Sequence, residues 1–244
     1  MCYLCTHSFI SFDSTNINEI ENGLKLVNDT QKCIINSTNA DDERLEKFSS
    51  VAAKYNTYLI ALTLSSQTGI PKEAEERLEL AFKIIDVCES KGIGHNKIMI
   101  DPLVLPICIE QSQAKVSLDT IRMLKESFDP PVLTTIGLSN ISNGVPKHLR
   151  SLINTVYMTM AMGAGLDSAI VDVFDEELLR VHKMIVENNP QKPYDKLYLD
   201  IFETSKNYGE IEDISYDNNN KEQVKIIKTA KILMNKEVYS ACYI

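Results

Sequence analysis

No apolar run among the 244 residues approaches the roughly 18 that a membrane-spanning helix needs. The start, Met-Cys-Tyr-Leu-Cys-Thr-His, lacks the basic residues and long apolar centre of a secretion signal. From both absences a cytoplasmic chain is expected, with its six cysteines reduced. Those cysteines are too scattered for a zinc centre. Cys2 and Cys5 have C-x₂-C spacing with His7 close by, but Cys33, Cys88, Cys108 and Cys242 supply no second pair, and a structural zinc takes four ligands. A basic patch is missing too: with a formal charge of −9 and a pI of about 5.0, the surface repels phosphate backbones, which argues against nucleic acid as a partner. No Ser-His or Cys-His arrangement offers a nucleophile. His95 and His148 read as solvated loop residues, and the acidic stretches Asp41-Asp42-Glu43 and Glu73 to Glu79 as solvated helix faces.

Hydrophobic residues make up 44%, enough for a sizeable core, and the length suits one large α/β domain spanning residues 1–244. Short apolar runs alternate with longer helical patterns. The runs are Phe9-Ile10-Ser11-Phe12, Cys33-Ile34-Ile35, Tyr58 to Leu62, Lys97 to Ile100, Val132 to Ile136 and Ala169-Ile170-Val171. Between them, apolar residues recur three and four apart. The clearest stripe is Leu78, Ala81, Phe82, Ile85 and Val87 or Cys88, with Pro71 as a start signal and Gly92 as a stop. Residues 187–222, rich in Asn and Pro with a short apolar patch from Tyr198 to Phe202, read as a surface insertion.

Six strands alternating with helices give a parallel sheet, either doubly wound or a barrel. Polar residues follow the strands directly: Asp13-Ser14-Thr15-Asn16, Asn36-Ser37-Thr38, Thr63, Asp101-Pro102 and Ser139-Asn140. In a barrel such strand ends converge on one mouth, whereas in an open sheet they spread along an edge, so the barrel is favoured. Asp13, Asn36, Asp101 and Asn140 together suit a flat polar heterocycle. Carboxylates accept paired N–H bonds from its edge, and carboxamides both donate and accept. They suit a phosphate badly, since anion sites want Arg, Lys or backbone N–H groups. The competing explanation is that each one merely caps the helix that follows.

Phe12-Asp13-Ser14-Thr15-Asn16, Ile34 to Ala40, Gly69-Ile70-Pro71-Lys72, Ile100 to Pro106 and Gly137 to Ser142 resemble the methyltetrahydrofolate:corrinoid/iron–sulfur protein methyltransferases. So do Leu152-Ile153-Asn154 with Met158 to Gly165, and Leu233 to Tyr239. The resemblance covers about Phe9 to Phe174 and Thr229 to Ile244, in the family's order. It implies a pterin-binding (β/α)₈ barrel, usually a homodimer, that takes the N5-methyl group of methyltetrahydrofolate or a related methylated pterin. The methyl group goes to the cobalt of a corrinoid held by a partner corrinoid iron–sulfur protein. By the family's pattern Asp13, Asn36, Asp101, Ser139 and Asn140 bind the pterin, and Asn140, near N5, is the catalytic residue. No metal ligand is expected in this chain.

Three departures accompany the match. The family begins with two further β/α units, so this chain is expected to form an incomplete barrel of about six strands. Thr155 stands where the family usually carries Arg, and Ser240-Ala241-Cys242-Tyr243 replaces the family's ending. Two other readings stay open: a truncated remnant or one half of a split methyltransferase, and a dihydropteroate synthase. The last is matched by Arg180-Val181-His182, although those residues sit in a helical run.

Overall fold

The computed structural model describes residues 9–243, so the expectation concerning Cys2, Cys5 and His7 lies outside the described residues. The apolar runs become strands β1 Ile10–Asp13, β2 Cys33–Asn39, β3 Tyr58–Leu62, β4 Ile98–Asp101, β5 Leu133–Gly137 and β6 Ser168–Ile170. The periodic stretches become helices α1 Ile17–Leu24, α2 Asp42–Tyr55, α3 Ala74–Ser90, α4 Ser112–Ser127, α5 Lys147–Gly163, α6 Glu176–Glu187, α7 Asp195–Lys206 and α8 Lys221–Leu233. The strands form one six-stranded sheet in the order β1-β2-β3-β4-β5-β6, and the pairings from β1 to β5 are parallel. A doubly wound sheet reverses its strand order at a switch point. This one does not, and an unbroken order is that of a β/α barrel.

The chain, expected as one domain, packs as two compact units. The first comprises residues 9–103 and 123–135 of the described chain, and the second residues 104–122 and 136–243. In the first, Phe12, Ile35, Leu59 and Ile98 stand side by side in register, with Ala61 and Ile100 at the next level on the same face. They pack against Leu45, Phe48 and Ala52 of α2 and Ala81, Ile84, Ile85 and Cys88 of α3. Asn56, in the left-handed conformation (φ 56°), ends α2. The buried face of α3 is rotated from the expected stripe: Ala74, Arg77 and Ile84 are inside, while Phe82 is 41% exposed. His95 is also less solvated than expected. Its ring nitrogens lie 2.6 Å from the Pro130 carbonyl oxygen and 2.7 Å from Glu89 Oε1, and its ring meets Phe128 edge-on.

The second unit is built around α5, most of which is buried. Here the structure corrects the surface insertion expected over residues 187–222. Leu197, Tyr198 and Ile201 of α7 are buried in the core, as are Ile211 and Ile214. The short apolar patch is one side of a helix, with Leu197 and Ile201 four residues apart. Asp195, fully buried, accepts from Arg180 and from the backbone N–H groups of Gln191 and Lys192. Asn220, at the end of the Asn tract, accepts from the N–H groups of Glu222 and Gln223 and so caps α8. The segment's connections, such as 217–219, are exposed, as is the outer side of α7 at Lys196 and Glu203.

At Gly163, α5 and α7 approach each other closely. A Cβ there would lie 2.5 Å from the Phe202 carbonyl oxygen and 2.7 Å from Ser205 Cβ. Gly163→Ala should therefore destabilise the chain by about 1–3 kcal/mol through overpacking. Urea unfolding measures this, and an unchanged midpoint would mean that α7 does not dock as described.

Candidate functional site

Side chains alternate between the faces of a strand. The register level of Asp13, Asn36, Ile60 and Met99 therefore points away from the face packed on α2 and α3. Asp101, two residues beyond Met99, shares that side. The structure thus brings Asp13, Asn36 and Asp101 onto one sheet face in the first unit. Asp13 and Asn36 are direct register partners, and β2 shifts register between Asn36 and Thr38, a bulge that redirects the strand just past Asn36.

Helix capping does not account for these residues. In the Asp13-Ser14-Thr15-Asn16 turn the cap comes from Asn16, whose Oδ1 accepts from the Asn18 N–H at 3.1 Å, helped by Ser14 Oγ on Glu19. At the start of α2, Asn39 and Asp41 hold each other and Asp41 holds Ser66, without Asn36. Asp101 is far in sequence from the start of α4 at Ser112. It accepts instead from the Leu103 N–H at 2.8 Å, bracing its own turn.

That turn rests on a residue the sequence reading missed. Arg77 is fully buried and donates from Nη1 to the carbonyls of Pro102 (2.7 Å) and Leu103 (3.0 Å), and from Nε to that of Pro71 (3.0 Å). It thereby ties the Gly69-Ile70-Pro71 turn to the loop after β4, where Leu103 is held at φ 65°. A left-handed leucine is strained, and the donor to its carbonyl together with the acceptor for its N–H keeps it there. Burial pushes the Asp101 carboxyl up to about 6, against the opposing pull of the Leu103 N–H and the Arg77 charge. The only clue in the sequence is an arginine three residues after Ala74 and four before Ala81, on the helix's buried side.

Ser139 and Asn140 belong to the second unit, in a short 3₁₀ helix, Leu138–Ser142, that directly follows β5. A Cβ on Gly137 would lie 3.1 Å from Asn140 Nδ2, so the carboxamide sits back over the glycine. Both residues line a cleft of about 810 Å³ with Lys147, Arg150, Ser151, Asn154, the loop at Asp172 to Asp175 and the start of α6 at Glu176 and Glu177. Thr155 is buried and donates to the Ser151 carbonyl, so the departure at this position lies inside the unit rather than on the cleft wall. Arg180 and His182 are on α6, as the helical pattern predicts. Arg180 is taken up by Glu177 and Asp195, and His182 faces an apolar cleft of about 470 Å³, where burial lowers its pKa. Among the described residues no cluster of three or more His, Cys, Asp or Glu could hold a metal ion, and no helix is long and apolar enough to cross a membrane.

Residues 4–172 match the family model described as pterin binding enzyme. The methionine synthase of Mycobacterium leprae is 33% identical over 199 residues, covering 78% of this chain and 16% of that protein. That of Mycobacterium tuberculosis is 31% identical over 206 residues, covering 77% and 17%. A methylcorrinoid:tetrahydrofolate methyltransferase of Eubacterium limosum is 32% identical over 121 residues, covering 50% and 43%. The chain thus spans 16–17% of the length of these methionine synthases. Among solved structures, dihydropteroate synthase from Clostridium difficile superposes with a TM-score of 0.52 at 22% identity, covering 75% of this chain and 68% of that one. The Yersinia pestis dihydropteroate synthase gives 0.51 at 18%, covering 73% and 69%. At those identities the structures speak for the fold, and the matched family model speaks for descent: the chain belongs to the pterin-binding enzyme family.

Proposed function

We propose that the chain binds methyltetrahydrofolate, or a related methylated pterin, and transfers its N5-methyl group to the cobalt of a corrinoid carried by a partner protein. The relatives named methionine synthase and methylcorrinoid:tetrahydrofolate methyltransferase support this reading. The observation that carries it is the set Asp13, Asn36 and Asp101 on one sheet face, none of them used as a helix cap. Such a set matches the donor-rich edge of a pterin, with the two carboxylates accepting ring and amino N–H groups and Asn36 pairing with a ring nitrogen or carbonyl. Homodimerisation and a corrinoid iron–sulfur protein as partner belong to the same reading.

The methyl group leaves N5 without its bonding electrons, which stay on the nitrogen, and the corrinoid, when bound with its partner, supplies the nucleophile. N5 becomes a far better leaving group as it gains a proton. The resemblance assigns N5 to Asn140 with Ser139, a carboxamide in that role stabilising charge that appears at N5 only as the bond breaks. Dihydropteroate synthesis fits less well, because Arg180, the basic residue of its motif, is already taken up by Glu177 and Asp195.

Asp101 tests the binding half of this reading. With a carboxyl pKa of about 6, the group is protonated below that pH and loses acceptor capacity. Pterin affinity should therefore rise with pH up to about 6 and level off above it, with a slope approaching tenfold per pH unit on the acid side. Asp101→Ala should weaken binding by about 1–3 kcal/mol at neutral pH and flatten the profile. Calorimetry across this range decides, and an unchanged affinity in the variant would remove Asp101 from the site.

A further inference from the structure

The backbone ladder between β1 and β2 ends at the site. Its last register pair is Asp13 beside Asn36, and the Ser14 N–H donates to the Asn36 carbonyl at 3.2 Å. Just beyond, the two loops face each other with two acceptors, the carbonyls of Thr15 and Ser37. Two carbonyls cannot bond each other, so only a donor from elsewhere can join them. Arg44, in the first turn of α2, supplies it: Nη1 donates to Thr15 at 3.3 Å and Nη2 to Ser37 at 2.6 Å. Ser37 is also the residue that the β2 bulge leaves without a register partner, since Asn36 pairs with Ile60 and Thr38 with Ala61. The half-buried guanidinium lies 4.2 Å from the centroid of the Phe48 ring, one turn further along α2, and Phe48 is fixed in the core. The fork is thus aimed from a rigid helix. No hydrogen bond among the described residues involves the Asp13 or Asn36 side chain, so the backbone beneath them sets their places.

We infer that Arg44 is a positioning residue for the pterin site, which takes over where the strand ladder stops and fixes the separation of Asp13 and Asn36 through the carbonyls that follow them. The inference rests on the pterin reading above. There the two side chains bind groups on one ring edge, and they can do so together only when their spacing matches that edge. A site of this kind has to be held to within about 0.5 Å by a rigid support. Arg44 acts on this pair alone. Its two carbonyl contacts lie in the loops after β1 and β2, whereas the loop that carries Asp101 is held by Arg77. Two arginines on successive helices therefore divide the three pterin-side residues between them, α2 serving Asp13 and Asn36 and α3 serving Asp101.

The test is a double-variant comparison, with methyltetrahydrofolate binding measured by calorimetry on the full chain. Arg44→Met should weaken binding about tenfold, within the range of couplings between neighbouring groups. Arg44→Lys should recover part of this, because an ammonium group reaches one carbonyl but does not span two. In an Asn36→Ala background the same Arg44→Met change should weaken binding by no more than about threefold, since half of the pair it places is gone. In an Asp101→Ala background it should keep its effect of about tenfold. The start of α2 is anchored separately by Asp41, which accepts from the Ser66 N–H and Oγ at 2.7 Å, so the urea midpoint of Arg44→Met should move little. Equal losses in the two backgrounds would mean that Arg44 only stabilises the unit and would overturn the inference, as would an unchanged affinity in Arg44→Met; both outcomes leave the pterin reading intact. If the unaltered chain binds no methyltetrahydrofolate, the pterin reading fails and the inference falls with it.

Discussion

Arg77→Met is expected to destabilise the chain by about 3–5 kcal/mol, the scale of removing one partner from a buried charged hydrogen-bonding set. Methionine can fill much of the volume but donates nothing. The carbonyls of Pro71, Pro102 and Leu103 would lose the donors now at 2.7–3.0 Å, in a place that water reaches poorly. Leu103 would also lose what holds its carbonyl in the left-handed conformation. Arg77→Lys should recover part of the loss, since an ammonium group reaches some of these carbonyls but cannot reproduce the planar fork. The same variants bear on the site. The guanidinium charge favours the ionised form of Asp101, so its removal should move the acid limb of pterin binding above pH 6. Urea unfolding reads the first effect and binding against pH the second. A destabilisation below about 1 kcal/mol would show that the three contacts are dispensable.

Asn140→Ala should slow methyl transfer to a reduced corrinoid by about 10²–10³-fold, the usual effect of deleting a single group that stabilises transition-state charge. Pterin affinity should fall much less. The two losses part because the carboxamide's bond is strongest while N5 gains a proton and releases the methyl group, a moment absent from the bound ground state. Single-turnover transfer and equilibrium binding on the same preparation separate the two. If transfer slows only in proportion to lost affinity, Asn140 is a binding residue and the proton at N5 is managed elsewhere.

The positions of the strands could be read directly because β-branched and apolar runs are bounded by polar residues. Tyr58–Leu62 is delimited by Thr57 and Thr63, and the observed β3 has the same limits. That Asp13, Asn36 and Asp101 converge is expected from their places at strand ends of a barrel, and register between strands far apart in sequence supplies the shared face. α7 escaped notice because Asn, Pro and Gly on both sides outweighed a stripe of only Leu197, Tyr198 and Ile201. Arg77 was hidden for a related reason: among Glu75, Glu76 and Glu79 it reads as part of a charged outer surface, and only packing shows which side of α3 faces inward. Asn154 belongs to a motif that resemblance picks out. That its oxygen has no partner is a property of the folded neighbourhood and leaves no mark on the sequence.

The unbroken strand order also governs how the chain can assemble. Each register pairing from β1 to β5 joins a strand to its predecessor, and the widest, Leu59 with Ile98, closes over 39 residues. Loop-closure entropy grows only slowly with length, and no pairing has to wait for a distant part of the chain. Each β/α step can settle on the one before it, like courses of brick, and a sheet raised this way accepts another course at its edge without rearranging those already laid.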